Sequence, residues 1–434
     1  MKALRLCIRG TRHLSGFSNG SVRLQHFTAD QNGASSGPLQ GIKVLDVGQV
    51  VAGNFCGALL AYFGADVIKV EPPIRGDALR SLRMTDSTGT SLWWRSYGRN
   101  RRCITLDLHK EEGRDVLRRL SDRADVLIEN FRPGVMEKWG LGPNDLKDTL
   151  IYTRISGYGQ TGPKAQLAGY ASVCEAYGGI RHLNGYLDRP PVRTNVSLGD
   201  SLTGLHAAFG AVMALLHRQR HYGKVPGQVV DAAISESVFN MLEGCVPEYT
   251  EQGYNRPPSG STISGVVPSA TFQTSDGRYV IIGGNGDSIY TRLMTAVGRA
   301  DMGADNPRYQ SNTDRCHHEK EIYEVLGDWV AKRNLDEVLR VMGEARVPSG
   351  PILSTADLLK EEQFQVRRMF EQAAPPSSTG PAITVPAMVP VLSRTPGATK
   401  WAGPELGEHT DQILRDELDM SVEQIQGLRA CGAV

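Results

Sequence analysis

The stretch that decides the fold is residues 42–71, IKVLDVGQVVAGNFCGALLAYFGADVIKVE. An apolar run at 42–47 is followed by a small-residue segment at 52–63 and a second apolar run at 66–71. Apolar runs of about four to eight residues are typical of buried strands, and the longer segment between them is typical of a helix. The order strand, helix, strand predicts a parallel sheet with a right-handed helical crossover.

The same alternation continues as far as residue 242. A long helix is predicted at 201–219, because large apolar residues recur there at three- and four-residue steps. The other predicted elements are helices at 111–120 and 236–242 and strands at 125–129, 150–155 and 229–234. We therefore predict the α/β class, with a large doubly wound, Rossmann-like parallel sheet.

The chain changes character after a stretch rich in proline, glycine and serine at 252–264. A strand at 278–282 is followed by three helical patterns up to residue 345, which predicts a smaller α+β domain. The predicted domains are 1–37 as a transit peptide or disordered segment, 38–235 as the large domain, 236–261 as a linker, 262–350 as the small domain, and 351–434 as a second linker that returns to the large domain.

The first 37 residues differ from the rest in composition. They contain arginine and serine but no acidic residue before Asp30, which is typical of a mitochondrial transit peptide; a disordered tail is the alternative. A transit peptide would place the protein in the mitochondrial matrix. The net charge of +1 argues against a nucleic-acid partner, and no uninterrupted apolar run approaches the roughly 18 residues of a membrane span, so neither partner is predicted.

Sequence motifs argue against several classes of site. The turn after the first predicted strand lacks the GxGxxG pattern of dinucleotide-binding proteins, and the chain has no GxxxxGK[ST] or GxSxG motif. The seven cysteines stand singly, so neither a disulfide framework nor a cysteine-based metal site is indicated. Adjacent residues in the run 316–319, CHHE, point in different directions, whereas metal ligands are normally spaced by about two to five residues. No metal site is therefore predicted.

Asp200 has two compatible interpretations, because it stands directly before the predicted long helix. An aspartate in that position is a good N-cap, since its oxygens accept hydrogen bonds from the first N–H groups of the helix. The helix dipole would also keep its carboxylate ionised at neutral pH, and an ionised carboxylate can attack an activated carbonyl. Gly199 would let a substrate approach the backbone closely.

Six segments, in the family's order, resemble the class III CoA-transferases, also called the formyl-CoA transferase family. The segments are residues 44–77, 100–108 (NRRCITLDL), 124–140 (ADVLIENFRPGVMEKWG), 156–163 (SGYGQTGP), 198–218 (LGDSLTGLHAAFGAVMALLHR) and 404–414 (PELGEHTDQIL). The resemblance implies that Asp200 attacks an acyl-CoA to form a mixed anhydride and then an aspartyl-CoA thioester. Coenzyme A would be a co-substrate, with no permanently bound cofactor and no metal or ATP.

The resemblance also implies the binding residues and the assembly. Contacts with CoA would come from Gln49, Val51, Ala52, Glu71, Pro72, Arg75 and Arg102. Contacts with the acyl groups would come from Tyr158, Gln160, Arg95, Arg193 and Gly265, the last in a glycine loop at 259–266. The large domain would be built from both chain ends, and two chains would form an interlocked homodimer.

The resemblance implies transfer of CoA from succinyl-CoA to a free dicarboxylate, namely glutarate, 3-hydroxy-3-methylglutarate or adipate. The distal carboxylate of such an acid needs a cation, ideally a bidentate arginine. Sequence alone leaves the choice open among Arg95, Arg99, Arg181, His182 and Arg193.

Two other functions remain open. An acyl-CoA racemase would pair its aspartate with a histidine, and Tyr170 stands at that position. A tyrosine, with a pKa of about 10, suits such proton exchange poorly. A non-catalytic CoA-binding relative would bind acyl-CoA without using Asp200.

Overall fold

A computed structural model describes residues 37–377 and 382–434 of the 434-residue chain. The transit peptide predicted at 1–37 lies outside the described residues except for Gly37, so the mitochondrial location stays a prediction.

Six parallel strands form the central sheet. In chain order they are β1 (Lys43–Asp46), β2 (Asp66–Glu71), β3 (Arg101–Thr105), β4 (Val126–Glu129), β5 (Ile151–Ser156) and β6 (Val229–Ala233). Their spatial order is β3-β2-β1-β4-β5-β6, and every neighbouring pair is parallel. This is the doubly wound order, so the predicted α/β class is confirmed. The direction of winding reverses between β1 and β4, and ligands of such folds bind in the crevice beyond the carboxyl ends of the strands there.

Nine helices accompany these strands. They are α1 (Ala52–Tyr62), α2 (Leu92–Tyr97), α3 (Glu111–Ser121), α4 (Val135–Lys138), α5 (Ala171–Tyr177), α6 (Ile180–Leu183), α7 (Leu198–Arg220), α8 (Ile234–Phe239) and α9 (Cys245–Gln252), counted within the described residues. Successive strand residues point to opposite faces of a sheet. Val44 accordingly packs with the small residues of α1 and α7, whereas Leu45 packs in a second core with residues of α3.

The long helix α7 turns its small residues inward and its large apolar residues outward. Its buried side chains include Ala207, Ala211 and Ala214, which lie in the core with α1. The large residues that predicted the helix are partly exposed; Phe209, for example, is 59% exposed. By length and hydropathy alone α7 would qualify as a membrane span, although 44% of the qualifying segment is buried inside the protein.

A second, antiparallel sheet follows in the chain. It consists of β7 (Ser269–Gln273), β8 (Tyr279–Gly283) and β9 (Ser349–Pro351), with β8 in the middle. Its helices are α10 (Asp287–Ala296), α11 (Asn312–His317), α12 (Glu319–Val330) and α13 (Leu335–Glu344). These elements share one apolar core, whose buried residues run from Val267 to Val347.

The C-terminal segment returns to the central sheet. Its elements are the helices α14 (Thr355–Leu358) and α15 (Glu362–Val366), the antiparallel strands β10 (Phe370–Ala373) and β11 (Ile383–Pro386), and the helices α16 (Thr410–Leu418) and α17 (Val422–Ala430). Ile413, Leu414 and Ile425 belong to the core that contains Leu45 and Leu127 of the central sheet. Both chain ends therefore build the large sheet unit.

Candidate active site

Asp200 is the third residue of α7, because this helix begins at Leu198. The prediction that Asp200 precedes the helix as its N-cap is wrong. Ser197 is the residue before the first turn, and the backbone N–H of Ser201 already donates to the Ser197 carbonyl over 3.1 Å. Within the described residues, the Asp200 carboxyl group has no hydrogen-bond partner.

The electrostatic surroundings of Asp200 favour its neutral form. Burial raises its pKa to about 7, and the negative charge of Glu175 adds to this effect. The positive charge of Arg193 acts in the opposite direction. The expectation that the helix terminus keeps Asp200 fully ionised at neutral pH is therefore not supported, since burial and a like charge act against the helix dipole. Near neutral pH the carboxyl group divides between its two protonation states.

Glu175, on the short helix α5, was not identified by the sequence analysis. Its side chain is buried, and its Oε1 accepts a hydrogen bond from the backbone N–H of Gly199 over 2.9 Å. Its Oε2 lies 3.4 Å from Nη2 of Arg181, which also donates to Ser172 Oγ. Glu175 thus holds the peptide that immediately precedes Asp200.

Packing contacts place Asp200 at the carboxyl edge of the sheet. A side chain added at Gly199 would lie 3.1 Å from Cγ2 of Ile234, the residue that follows β6. One helical turn after Asp200, a side chain added at Gly204 would come within 2.7 Å of the Ala52 carbonyl oxygen. The start of α7 therefore lies against both the end of β6 and the turn predicted to contact CoA.

That turn, residues 48–51, is fixed from two sides. The side-chain amide of Asn130, directly after β4, accepts from the backbone N–H of Gln49 and donates to its carbonyl, both over 2.7 Å. Oδ1 of Asp77 accepts from the backbone N–H of Val50 over 2.9 Å. These bonds hold Val50 at φ 61°, a left-handed conformation that a β-branched residue rarely adopts.

Buried charges lie beneath the turn. Lys69 donates to the carbonyl of Gly48, and its Nζ lies 3.3 Å from Oδ2 of Asp77. Nη1 of Arg101 lies 2.6 Å from Oδ2 of Asp46, whose other oxygen accepts from the Gly48 N–H. The side chains of all four charged residues are fully buried. The network gives each of these charges a partner of opposite sign, and it anchors the turn to the strands below.

The predicted CoA contacts after β2 divide into internal and exposed groups. Both carboxylate oxygens of Glu71 bind Arg80, at 2.7 Å each, so its side chain is engaged inside the protein. Arg75 is exposed, next to an Ile74 side chain that is 95% exposed. The exposed Arg75 side chain, Pro72 and the backbone of Glu71 could therefore reach a ligand, whereas the Glu71 side chain could not.

Arg102 lies at the opposite end of the sheet. Its guanidinium binds Asp66 over 2.7 Å and Glu417 over 2.8 Å. Asp66 begins β2 and Glu71 ends it, a separation of roughly 16 Å at about 3.3 Å per strand residue. The geometry therefore does not favour the predicted contact between Arg102 and CoA.

The predicted acyl-pocket residues Tyr158 and Gln160 follow β5. Tyr158 lies close to Cys174 of α5, the residue before Glu175, and burial together with this thiol raises the pKa of Tyr158. The backbone N–H of Gln160 donates to Asp231 over 2.9 Å. Nε2 of Gln160 is buried and has no hydrogen-bond partner among the described residues. Tyr158 thus belongs to the surroundings of Asp200, and Gln160 offers an unused donor nearby on the same loop.

The arginine candidates for the distal carboxylate are not equivalent. Arg95 is 1% exposed and donates to Asp86 and to the Gly403 carbonyl, each over 2.7 Å. Arg99 is also buried, and it binds the Pro386 carbonyl. Arg193 is exposed, and its charge acts on Asp200. The predicted role of Arg95 in substrate binding is therefore not supported, and Arg193 is the better placed cation.

Gly265 and Tyr170 lie in exposed surroundings. Gly265 has φ 76°, and its carbonyl accepts from Asn312 of α11 over 2.8 Å. The loop also contains Gly260, whose N–H donates to the Gly185 carbonyl over 2.8 Å. Tyr170, which the sequence analysis places where racemases would carry a histidine, precedes α5 and is 78% exposed. Among the described residues, no group of three His, Cys, Asp or Glu side chains is arranged to hold a metal ion.

Comparisons with known proteins point to one family of relatives. The family model described as CoA-transferase family III matches residues 39–410. The chain is 40% identical to succinyl-CoA–D-citramalate CoA-transferase of Chloroflexus aurantiacus, over 91% of this chain and 97% of the relative. It is 39% identical to the beta subunit of succinyl-CoA–L-malate CoA-transferase from the same organism, over 91% and 97%.

A human relative and a solved structure extend the comparison. Succinyl-CoA:glutarate CoA-transferase of Homo sapiens is 31% identical, over 92% of this chain and 90% of the relative. The crystal structure of a CAIB/BAIF family protein from Brucella suis superposes with a TM-score of 0.76 at 31% identity, covering 88% of this chain and all of that one. The two relatives at 40% and 39% identity thus carry the names of D-citramalate and L-malate, whereas the human relative carries the name of glutarate.

Proposed function

Since the chain belongs to CoA-transferase family III and is a CoA-transferase that uses coenzyme A as a co-substrate, we propose that Asp200 is its nucleophile. The observation that carries the proposal is the position of this carboxyl group. It lies in the first turn of α7, without a hydrogen-bond partner among the described residues, one helical turn before the contact between Gly204 and Ala52 and within the influence of Arg193. The ionised form of such an unpaired carboxyl group is a usable nucleophile toward an activated carbonyl.

The cycle has four balanced steps. The Asp200 carboxylate attacks the thioester carbonyl of succinyl-CoA, and the CoA thiolate leaves as a mixed anhydride forms. The thiolate attacks the Asp200 carbonyl carbon, which releases succinate and gives aspartyl-CoA. The acceptor carboxylate attacks this thioester, forms a second anhydride and again frees the thiolate. The thiolate finally attacks the acceptor's acyl carbon, and the Asp200 carboxylate is regenerated.

CoA would bind along the turn at 48–51. The bonds from Asn130 and Asp77 fix the backbone before any ligand arrives, so little ordering is needed on binding. The exposed guanidinium of Arg75 is our candidate for a phosphate contact. Tyr158 and Gln160 would line the acyl group, with the free Nε2 of Gln160 as a donor to one of its oxygens.

The substrates that we propose are dicarboxylates, with succinyl-CoA as the donor. The distal carboxylate of the acceptor would pair with Arg193, because Arg95 and Arg99 are engaged internally. Glutarate, 3-hydroxy-3-methylglutarate and adipate are the acceptors implied by the family resemblance. D-citramalate and L-malate join them, because the relatives at 40% and 39% identity carry those names.

We also propose a homodimer in the mitochondrial matrix. The outward face of α7 carries Leu205, Phe209 and Met213, which are exposed in the single chain. A second copy would remove this apolar surface from water. Light scattering on the purified protein would test the dimer, and fractionation of cells would test the location; a monomer or a protein outside mitochondria would contradict the respective proposal.

Mass spectrometry of CoA exchange tests the central proposal. The protein is mixed with succinyl-CoA and each isotopically labelled acceptor, alongside Asp200→Asn and the control Asp188→Asn, an exposed aspartate on the loop that carries Arg193. We expect labelled acyl-CoA from the native protein and from the control, but not from Asp200→Asn. Activity in Asp200→Asn would refute the nucleophile, and the absence of transfer to every acceptor would refute dicarboxylate transfer.

A further inference from the structure

Glu175 is an unusual neighbour for a nucleophilic carboxylate. It is buried, it carries an acidic side chain inside the short helix α5, and it touches the backbone of α7 rather than a solvent-facing group. The cation beside it, Arg181, approaches only to 3.4 Å, and Nε of that arginine is buried without a partner among the described residues. The charge of Glu175 is therefore incompletely balanced.

The position of this charge relative to Asp200 is set by one peptide. Oε1 of Glu175 accepts from the N–H of Gly199 over 2.9 Å, and Asp200 is the next residue. A side chain added at Gly199 would come within 2.9 Å of Cγ of Glu175, so glycine is needed for this approach. The glutamate carboxylate is thereby held against the residue that precedes Asp200, and its charge acts on the Asp200 carboxyl group.

The other ionisable groups around the start of α7 do not duplicate this arrangement. Arg193, on the preceding loop, acts on Asp200 with the opposite sign. Cys174 precedes Glu175 on α5, and it is engaged with Tyr158. The remaining ionisable residues of the elements packed against α7 are Cys56 and Tyr62 of α1, Tyr177 of α5, Glu236 of α8, Tyr152 and Arg154 of β5, and Asp231 of β6.

We propose that Glu175 is a positioning residue for the nucleophile: it holds the Gly199 peptide and places a fixed negative charge beside Asp200. This inference rests on the proposed role of Asp200. Forming the mixed anhydride removes the charge on Asp200, so acylation relieves the repulsion between the two carboxylates. The charge of Glu175 therefore favours the acylated states over the free, ionised nucleophile.

The same charge directs the fate of the anhydride. The CoA thiolate can attack the succinyl carbon, which expels Asp200 and reverses the reaction, or the Asp200 carbon, which expels succinate and continues it. A carboxylate that must reappear next to another negative charge is the poorer leaving group. In the first half of the cycle Glu175 thus favours release of succinate and formation of aspartyl-CoA, whereas in the last step it opposes the departure of Asp200.

The test is the pH dependence of kcat/KM between pH 5 and 9. Glu175→Gln keeps an oxygen that can accept from Gly199 but removes the charge. We expect the acid limb of its profile, near pH 7 in the native enzyme, to move down by about one pH unit. The control Glu251→Gln, on the exposed side of α9, should retain the native limb.

A second variant should move the acid limb of kcat/KM in the opposite direction. Arg181→Gln removes the cation that partly balances Glu175, so its acid limb should move up. An unchanged limb in Glu175→Gln overturns the inference. If that variant does not fold by circular dichroism, a limb in Arg181→Gln that stays or moves down overturns it equally.

The outcomes also separate this inference from the proposed function. If Asp200→Asn retains transfer activity, the nucleophile is wrong and the role of Glu175 falls with it. If Asp200→Asn is inactive but the acid limb of Glu175→Gln matches the native one, only the positioning role of Glu175 is wrong.

Discussion

Asp77 and Asp200 lie at the same edge of the central sheet, yet the fold treats their charges in opposite ways. The Asp77 carboxylate accepts from the N–H groups of Val50 and Leu79 and from Asn54, and it faces the ammonium of Lys69. The Asp200 carboxyl group has no hydrogen-bond donor among the described residues and faces Glu175. A satisfied carboxylate stabilises the binding turn, whereas an unsatisfied one is left reactive.

Removing Asp77 should give the largest effect on stability. Asp77→Ala leaves Lys69 buried without this partner and frees the N–H of Val50, so we expect the free energy of unfolding to fall by about 3–5 kcal/mol. Urea denaturation at pH 8 measures this loss. The exposed Asp188→Ala serves as the control and should change little; a loss below about 1 kcal/mol in Asp77→Ala would contradict the role of the network.

Removing the charge of Asp200 should instead raise the free energy of unfolding at neutral and alkaline pH. Its folded-state pKa of about 7 exceeds the ordinary value of about 3.9, so the folded protein keeps a proton that the unfolded chain releases. The stability contributed by this group is thus fully present below about pH 4 and is lost as the pH rises through 7.

Asp200→Asn should therefore unfold less readily than the native protein at pH 8, by about 2–4 kcal/mol, while losing activity. At pH 4 the two proteins should be equally stable. Urea denaturation at both pH values measures the difference, with Asp188→Asn as the control. Equal stability at pH 8 would show that the charge of Asp200 is better accommodated than its surroundings indicate.

Arg193 acts on Asp200 as Lys69 acts on Asp77, because it supplies positive charge, but it does so from an exposed loop. Arg193→Gln should raise the KM for a dicarboxylate acceptor by roughly ten- to hundredfold, since a charge-assisted hydrogen bond contributes about 1.5–3 kcal/mol. The acid limb of kcat/KM should also move to higher pH. Steady-state kinetics with glutarate and L-malate measure both effects.

Arg189→Gln, on the same exposed loop, is the matched control for Arg193→Gln. It should keep the native KM and the native acid limb. An equal rise in KM for both variants would point to the charge of the loop as a whole and would contradict a specific pairing with Arg193.

The central sheet was predictable because most of its strands are short apolar runs between helical segments. The strand β3 was missed, since its sequence, RRCIT, contains two arginines. Arg101 is buried there with Asp46 on another strand and Asn54 of α1 as its partners. Periodicity along the chain cannot reveal such a partner, which comes from a distant segment.

The candidate site was likewise predictable only in part from the sequence. Asp200 and the turn at 49–52 were identified from the family resemblance, and the structure places the contact between Gly204 and Ala52 one helical turn after Asp200. Glu175 was missed, because its contact with Gly199 joins positions far apart in sequence. Arg95 was chosen for its charge alone. Only the structure shows that its guanidinium already donates to the Asp86 carboxylate and to the Gly403 carbonyl.

Val50 offers the smallest and most local test of the difference between the two regions. Its φ of 61° costs a non-glycine residue about 1–2 kcal/mol, and this strain is held by the bonds to Asp77 and Asn130. Val50→Gly relieves the strain but loses a half-buried side chain, so the free energy of unfolding should stay level or rise by up to about 1 kcal/mol. Val51→Gly, at a buried position with φ −113°, should instead lower it by about 2–3 kcal/mol. Equal losses in both variants, measured by urea denaturation, would mean that the turn carries no strain and that its shape is set by packing alone.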